Sequence, residues 1–252
     1  MHDDKRPEAE IKLETPFLKK AENFFYHYKW HTIVAAFLAV VVLICTLQTC
    51  SKESYDVEIM YAGPYSFDST HQTQLDIQKA FASVTPDTDK NGKSQTRLTS
   101  FWVNEKYYGG ASAKDEVISG ADVAYLANNS LTNQEKYLDE ITVGNISICL
   151  VSPHLFYLVH KEGGFMRIDE MLPELSEDVY HVGESGATNH YGVVLAKTDF
   201  GKLAGLSSLP KDTILCLRKP AYRLGNQNRA EEQHAKAKEV FLAALQFKLV
   251  ED

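Results

Sequence analysis

Between Trp30 and Ser51 the chain runs 22 residues without an Asp, Glu, Lys or Arg, and Ile33 to Cys45 is unbroken apolar. As a helix rising about 1.5 Å per residue this stretch reaches roughly 33 Å, enough for a hydrocarbon layer of about 30 Å. A segment of this kind either crosses a bilayer once or needs a much larger protein wrapped around it. The chain has 252 residues, which leaves about 200 after the span, a normal size for one α/β domain.

The flanks give the span a direction. Phe24, Phe25, Tyr26, Tyr28 and Trp30 precede it, where amphipathic rings sit at a headgroup boundary. Lys19, Lys20 and Lys29 also precede it and only Lys52 closely follows, so the positive-inside bias puts the N-terminus in the cytoplasm. Two other readings fit less well. A cleaved signal peptide calls for a short basic leader and a small-residue cleavage site, whereas this leader carries six acidic residues and the span ends Thr46-Leu47-Gln48-Thr49-Cys50. Lipid attachment at Cys50 would follow Gln48 and Thr49, poor residues for those positions, and would only replace one anchor by another. The expected organisation is a cytoplasmic segment over 1–31, a transmembrane helix over 32–50 that contacts the lipid bilayer, and an extracytoplasmic domain over 53–252. Thr15-Pro16 reads as an N-cap with proline at the first helical position, opening a juxtamembrane helix.

Charge narrows the partners. Residues 1–50 hold six basic and six acidic side chains, which leaves 20 basic and 28 acidic beyond them, so the whole formal charge of −8 belongs to the later part. An acidic domain without a basic stripe is a poor partner for nucleic acid, since phosphate binding depends on clustered Lys and Arg. Four cysteines, at 45, 50, 149 and 216, contain no CxxC pair, which removes zinc-ribbon and thioredoxin-like readings.

Beyond the span, extended and helical patterns alternate. Strand candidates are Asp56 to Ala62, Thr96 to Val103, Ala121 to Ala127, Ile146 to Val151, Tyr191 to Ala196 and Thr213 to Leu217. A capping box at Ser69 and Gln72 opens a helix carrying Ile77, Ala80, Phe81 and Val84 at i, i+3, i+4, i+7. Further helices are expected over Asn133 to Val143, Pro153 to Lys161 and Arg229 to Phe247. This order predicts an α/β fold, a mostly parallel sheet flanked by helices and preceded by one transmembrane helix.

The succession Gln134 to Asn145, Ile146 to Ser152, Pro153 to His160 and Gly163 to Glu170 is a helix ending in a Gly-Asn turn, a buried strand, a second helix and a Gly-Phe-Met-Arg-Ile-Asp run. It resembles the type II extracellular solute-binding proteins of ABC importers. The resemblance covers about residues 55 to 200 and the last helix. It implies a solute-binding-protein-like lobe that takes a small solute or an envelope protein. Full binding proteins of this kind are considerably longer and two-lobed, so much of a second lobe is missing. The aromatic run into the span also resembles single-pass proteins of Gram-positive bacteria.

Each candidate site residue also has a plainer role. On a parallel sheet, ligands approach the carboxyl ends of the strands. Tyr65 and Ser66 follow the first strand there, Trp102 ends the second, and Ser152 and His154 open a helix whose free N–H groups suit an anion. The plainer role of Ser152 is to cap that helix ahead of Pro153. Asp87, Asp89 and Asn91, followed by Gly92, match the first half of a calcium loop, but position twelve is Leu98 where a bidentate carboxylate belongs. A polar turn accounts for the same letters. Ser185 in Gly183-Glu184-Ser185-Gly186, with His181 or His190 as base, is the one arrangement that suggests a hydrolase. His154 and His160, six apart on a helix, lie about 240° apart around the axis and do not form a metal pair. Cys149 and Cys216 can bond if their strands are neighbours, and buried free thiols are the commoner outcome. With no convergent catalytic set, the sequence points to a membrane-anchored binding or interaction module without chemistry of its own. A membrane-tethered serine hydrolase and a structural subunit of an envelope complex are the alternatives.

Overall fold

The structure is a computed structural model that describes residues 16–50, 55–67, 71–88, 90–110, 120–183, 185–221 and 227–249. The chain divides into two compact units, Met1–Glu53 and Ser54–Asp252.

The described residues of the first unit form one helix, α1 (Pro16–Cys50), with a local departure from helical geometry at Tyr28. From Tyr28 to Leu47 its mean hydropathy is 2.4 and none of it is buried in the protein. By length and composition it can cross a bilayer once, and a signal sequence would meet the same test. Thr32 and Thr46 donate their hydroxyls to the carbonyls of Tyr28 and Leu43, so two polar side chains of this apolar helix are satisfied within it.

In the second unit, alternating and continuous apolar runs become one six-stranded sheet in the order β2-β1-β3-β6-β5-β4. The strands are β1 (Val57–Gly63), β2 (Thr96–Trp102), β3 (Ile148–Val151), β4 (Tyr180–Val182), β5 (Thr188–Val194) and β6 (Ile214–Leu217). The sheet is mixed. β1 pairs in parallel with β2 and β3, whereas the β3–β6, β6–β5 and β5–β4 pairs are antiparallel. Four strands, β1, β2, β3 and β5, therefore point one way and two oppose them.

Helices α2 (His71–Ala82), α3 (Gly120–Val143), α4 (Pro153–Lys161) and α5 (Gln227–Gln246) complete the unit. The two-residue period of the strands sorts their side chains into two cores. Ile59, Tyr61, Ile148, Leu150, Leu215 and Leu217 share one core with Ile77 and Phe81 of α2 and Val240 and Phe241 of α5. Met60, Ala62, Cys149, Val151, Ile214 and Cys216 share the other with Tyr137 of α3 and Leu155, Phe156 and Val159 of α4. Because both faces are covered, β3 and β6 are buried at every position, which is why they read as unbroken apolar runs.

The carboxyl end of α3 is closed by a side chain distant in sequence. The buried guanidinium of Arg218 donates to the carbonyls of Glu140, Ile141 and Gly144 at 3.2, 2.8 and 3.0 Å. Carbonyls at the carboxyl end of a helix lack onward donors, although that of Glu140 also accepts the Gly144 N–H at 2.9 Å, and a cation is the favourable charge at that end of the dipole.

One expected strand is corrected. Ala121 to Ala127 lies inside α3: its apolar residues alternate over too short a distance to distinguish a strand from a helix, and the longer helical run through Val143 decides it. The expected capping residue Ser69 lies outside the described residues.

Candidate functional site

A cleft of about 1050 Å³ opens between α4 and the β4–β5 hairpin. That volume stands at the upper end of small-molecule sites, roughly 300–1,000 Å³. Two local decisions in the chain build it.

The first is the start of α4. Ser152 occupies the N-cap position with extended backbone and Pro153 follows it, although the Ser152 side chain makes no capping hydrogen bond. From this start α4 turns Leu155, Phe156 and Val159 into the core and presents His154, Tyr157, Leu158 and Lys161 to the cleft.

The second is an irregularity in β5. Tyr180 faces Val193 while the next residue, His181, faces Asn189, so His190, Tyr191 and Gly192 have no partner in β4. Bulges of this kind re-aim side chains and recur beside functional sites. Here the carbonyl of His190 accepts the Ile168 N–H at 2.8 Å, which satisfies one carbonyl of the displaced backbone. Both His190 and Tyr191 line the cleft. Gly192 sits against the wall, and a Cβ there would lie 2.5 Å from Ile214 Cγ2 and 2.8 Å from Phe156 Cε2.

The lining combines ring side chains with charged and polar ones, among them Glu105, Lys161, Arg167 and Asn189. The His160 ring stacks on Phe156 at 5.6 Å between centroids and meets Tyr191 at 4.9 Å. His181 is buried at 8 % exposure and its Nε2 lies 3.0 Å from the Tyr157 hydroxyl. Burial pushes the His181 pKa below its ordinary value, and Lys197 pushes the same way against an opposing pull from Asp212. His190 stands between two carboxylates, with Nδ1 3.2 Å from Asp169 and Nε2 3.1 Å from Glu177. Arg167 pairs with Asp169 and Glu170. Its hydrogen bond holds the Asp169 carboxyl below the usual carboxylate range. His154 Nδ1 lies 3.2 Å from Glu105.

Of the five residues expected at the strand ends, only His154 lines this cleft. Tyr65 instead braces the turn after β1, where its N–H donates to the Tyr61 hydroxyl at 3.0 Å and its ring packs against Tyr61 and Phe67. Trp102 donates its indole N–H to the Pro64 carbonyl at 3.1 Å, tying the end of β2 to the same turn. Ser152 donates its backbone N–H to the Ala62 carbonyl at 2.9 Å, and Ser66 follows β1 half-buried. Ser185 lines the cleft with His181 and His190, but both histidines hydrogen-bond other partners.

For the calcium-loop residues, Asp87 accepts the N–H groups of Asn91 and Gly92 at 3.2 and 2.7 Å, and the Asn91 side chain accepts the N–H of Lys93. These are the bonds of a polar turn. Asp89 lies outside the described residues. Among the described residues no group of three or more His, Cys, Asp or Glu could hold a metal ion.

Tyr157, Lys161, Arg167, Asn189 and Tyr191 are lining residues that sequence reasoning does not select. One signal points to them: four of the nine histidines fall between 154 and 190. Comparison with protein-family models, curated proteins and solved structures finds no match to this chain.

Proposed function

We propose that this protein is a membrane-anchored, extracytoplasmic binding module that takes a small polar ligand in the cleft between α4 and β5. It has no chemistry of its own and resembles one lobe of a type II solute-binding protein. The N-terminus lies in the cytoplasm, residues 32–50 span the bilayer, and the α/β domain stands on the far side. The observation that carries the binding role is the displaced His190–Gly192 segment of β5, which brings His190 and Tyr191 to the lining of the cleft, Tyr191 meeting His160 of α4. Such surfaces with a few convergent polar groups are the usual form of ligand sites. The β1-α2-β2-α3-β3-α4 order supports the resemblance, and the lysines before the apolar stretch of α1 support the orientation.

A thermal-shift screen of the full-length protein in detergent against small metabolites and short peptides tests the binding role. A compound that raises the parent Tm but not that of a Tyr157→Phe, Asn189→Ala variant supports it. The second reading, hydrolysis at Ser185, is favoured by one observation, that serine and two histidines share the cleft. Against it, His181 is hydrogen-bonded to Tyr157 and His190 to Asp169 and Glu177. Turnover of a screening hit, abolished by Ser185→Ala, would replace binding with hydrolysis.

A further inference from the structure

Cys149 of β3 and Cys216 of β6 are direct partners across an antiparallel pair. Both are free thiols with no solvent exposure. They point into the same core, beside Tyr137. The type of pair follows from the ladder. The Arg218 N–H donates to the Ser147 carbonyl at 2.9 Å, which marks Ser147 and Arg218 as opposed residues of the hydrogen-bonded kind. Such pairs alternate, so Cys149 and Cys216, two residues further along each strand, are of that kind as well. Cα atoms in these pairs are about 5.5 Å apart, inside the roughly 4.4–6.8 Å range of bridged cysteines, whereas opposed Cβ atoms lie about 4.5–5.5 Å apart and a bridge needs about 3.5–4.5 Å, so closing the bond draws β3 and β6 together locally. The Cys216 thiol lies 3.7 Å from the Cys149 carbonyl oxygen. Burial, followed by a hydrogen bond with the Cys149 thiol, pushes the Cys216 pKa well above the ordinary thiol value.

We propose that Cys149 and Cys216 close a cross-strand disulfide that staples β3 to β6. The position gives the bond a consequence for the fold. β3 ends the parallel half of the sheet, and β6 begins the antiparallel half that carries the β4–β5 wall of the cleft. The oxidant is a small disulfide of the glutathione class. One cysteine thiolate attacks it, a glutathione thiolate leaves, and a mixed disulfide forms. The second cysteine thiolate then attacks the protein sulfur and releases the second glutathione. Two protein S–H bonds and the oxidant S–S bond break, one protein S–S bond forms, and both protons end on the released thiols. Buried thiols of raised pKa react slowly. The bond therefore closes while the chain folds or while β6 is parted from β3, and burial shelters it afterwards.

The experiment uses the full-length protein in detergent with Cys45→Ser and Cys50→Ser, leaving this pair as its only thiols. It is incubated with oxidised glutathione with and without sub-denaturing urea, then acid-quenched, unfolded, alkylated and analysed by mass spectrometry. The expected result is a mass lower by two hydrogens, linked 149 and 216 peptides, faster closure in urea, and a Tm raised by roughly 5–10 °C. Two alkylated thiols, or two separate glutathione adducts, after incubation in urea would overturn the proposal. Acid-trapping the same variant from cells separates this claim from the membrane topology. A bond found there supports both. A pair that closes with glutathione but is wholly reduced in cells keeps the disulfide chemistry and contradicts the extracytoplasmic placement.

Discussion

Gly192 lies behind the cleft, close against Ile214 of β6 and Phe156 of α4. A methyl there meets the Ile214 and Phe156 side chains at 2.5 and 2.8 Å, and both are fully buried. Gly192→Ala should therefore destabilise the domain by about 1–3 kcal/mol, the usual range for overpacking. A lowered urea midpoint with unchanged slope would show it, and an unchanged midpoint would mean that the β5 irregularity is not held against α4. Two histidines give a pH dependence at the same scale. One is His181, its pKa lowered chiefly by burial. The other, His234 of α5, lies 3.2 Å from both Ser147 Oγ and Met166 Sδ, and burial lowers its pKa from the ordinary 6.5, with Arg218 and Lys238 adding to the effect. The unfolded chain thus binds protons more readily than the folded one. This stability is complete above the unfolded value of about 6.5 and is lost as pH falls from there through the lowered folded values. Urea midpoints at about pH 8 and about pH 5.5 should differ in that direction, and His234→Gln should reduce the difference. Asp169 and Asp199 also have lowered values, from 3.8, so their contribution is lost at lower pH, outside the histidine window.

At the scale of elements, α1 is the strongest prediction. Each lysine at the centre of a span costs roughly 2.5–3.5 kcal/mol of insertion, so Leu38→Lys with Val41→Lys should move the full-length chain out of the alkali-resistant membrane fraction. Retention there would contradict a single span over 32–50. How well each element can be read follows from its periodicity. Helix α4 is legible to the residue, Pro153–Lys161, because Ser152-Pro153 marks its start and Leu155, Phe156 and Val159 share a face. Strands β1, β2, β3 and β6 show as apolar alternation or continuous runs. β4 escapes notice because it has only three residues, too few for a two-residue period to register. The amino-terminal half of α3 reads as strand because Ala-Asp-Val-Ala-Tyr-Leu-Ala suits either period. The cleft is barely legible. His154, His181 and His190 each stand out in the sequence, but what joins them is the displacement of three β5 residues, which no spacing encodes.

For the molecule as a whole, an apolar helix that can span a bilayer precedes an acidic domain whose doubly covered sheet carries a cleft at its β4–β5 edge. The formal −8 lies entirely beyond residue 50. The antiparallel β3–β6, β6–β5 and β5–β4 pairs set this sheet apart from a purely parallel one, and β4 and β5 supply one wall of the cleft. Labelling intact cells with a membrane-impermeant maleimide tests this account most directly. In a Cys45→Ser, Cys50→Ser background, a cysteine is placed either at the exposed cleft rim, Ser185→Cys, or before the span, Glu14→Cys. The account predicts labelling of Ser185→Cys in intact cells and of Glu14→Cys only after permeabilisation. The reverse pattern, or a mature chain that begins after residue 50, would contradict it.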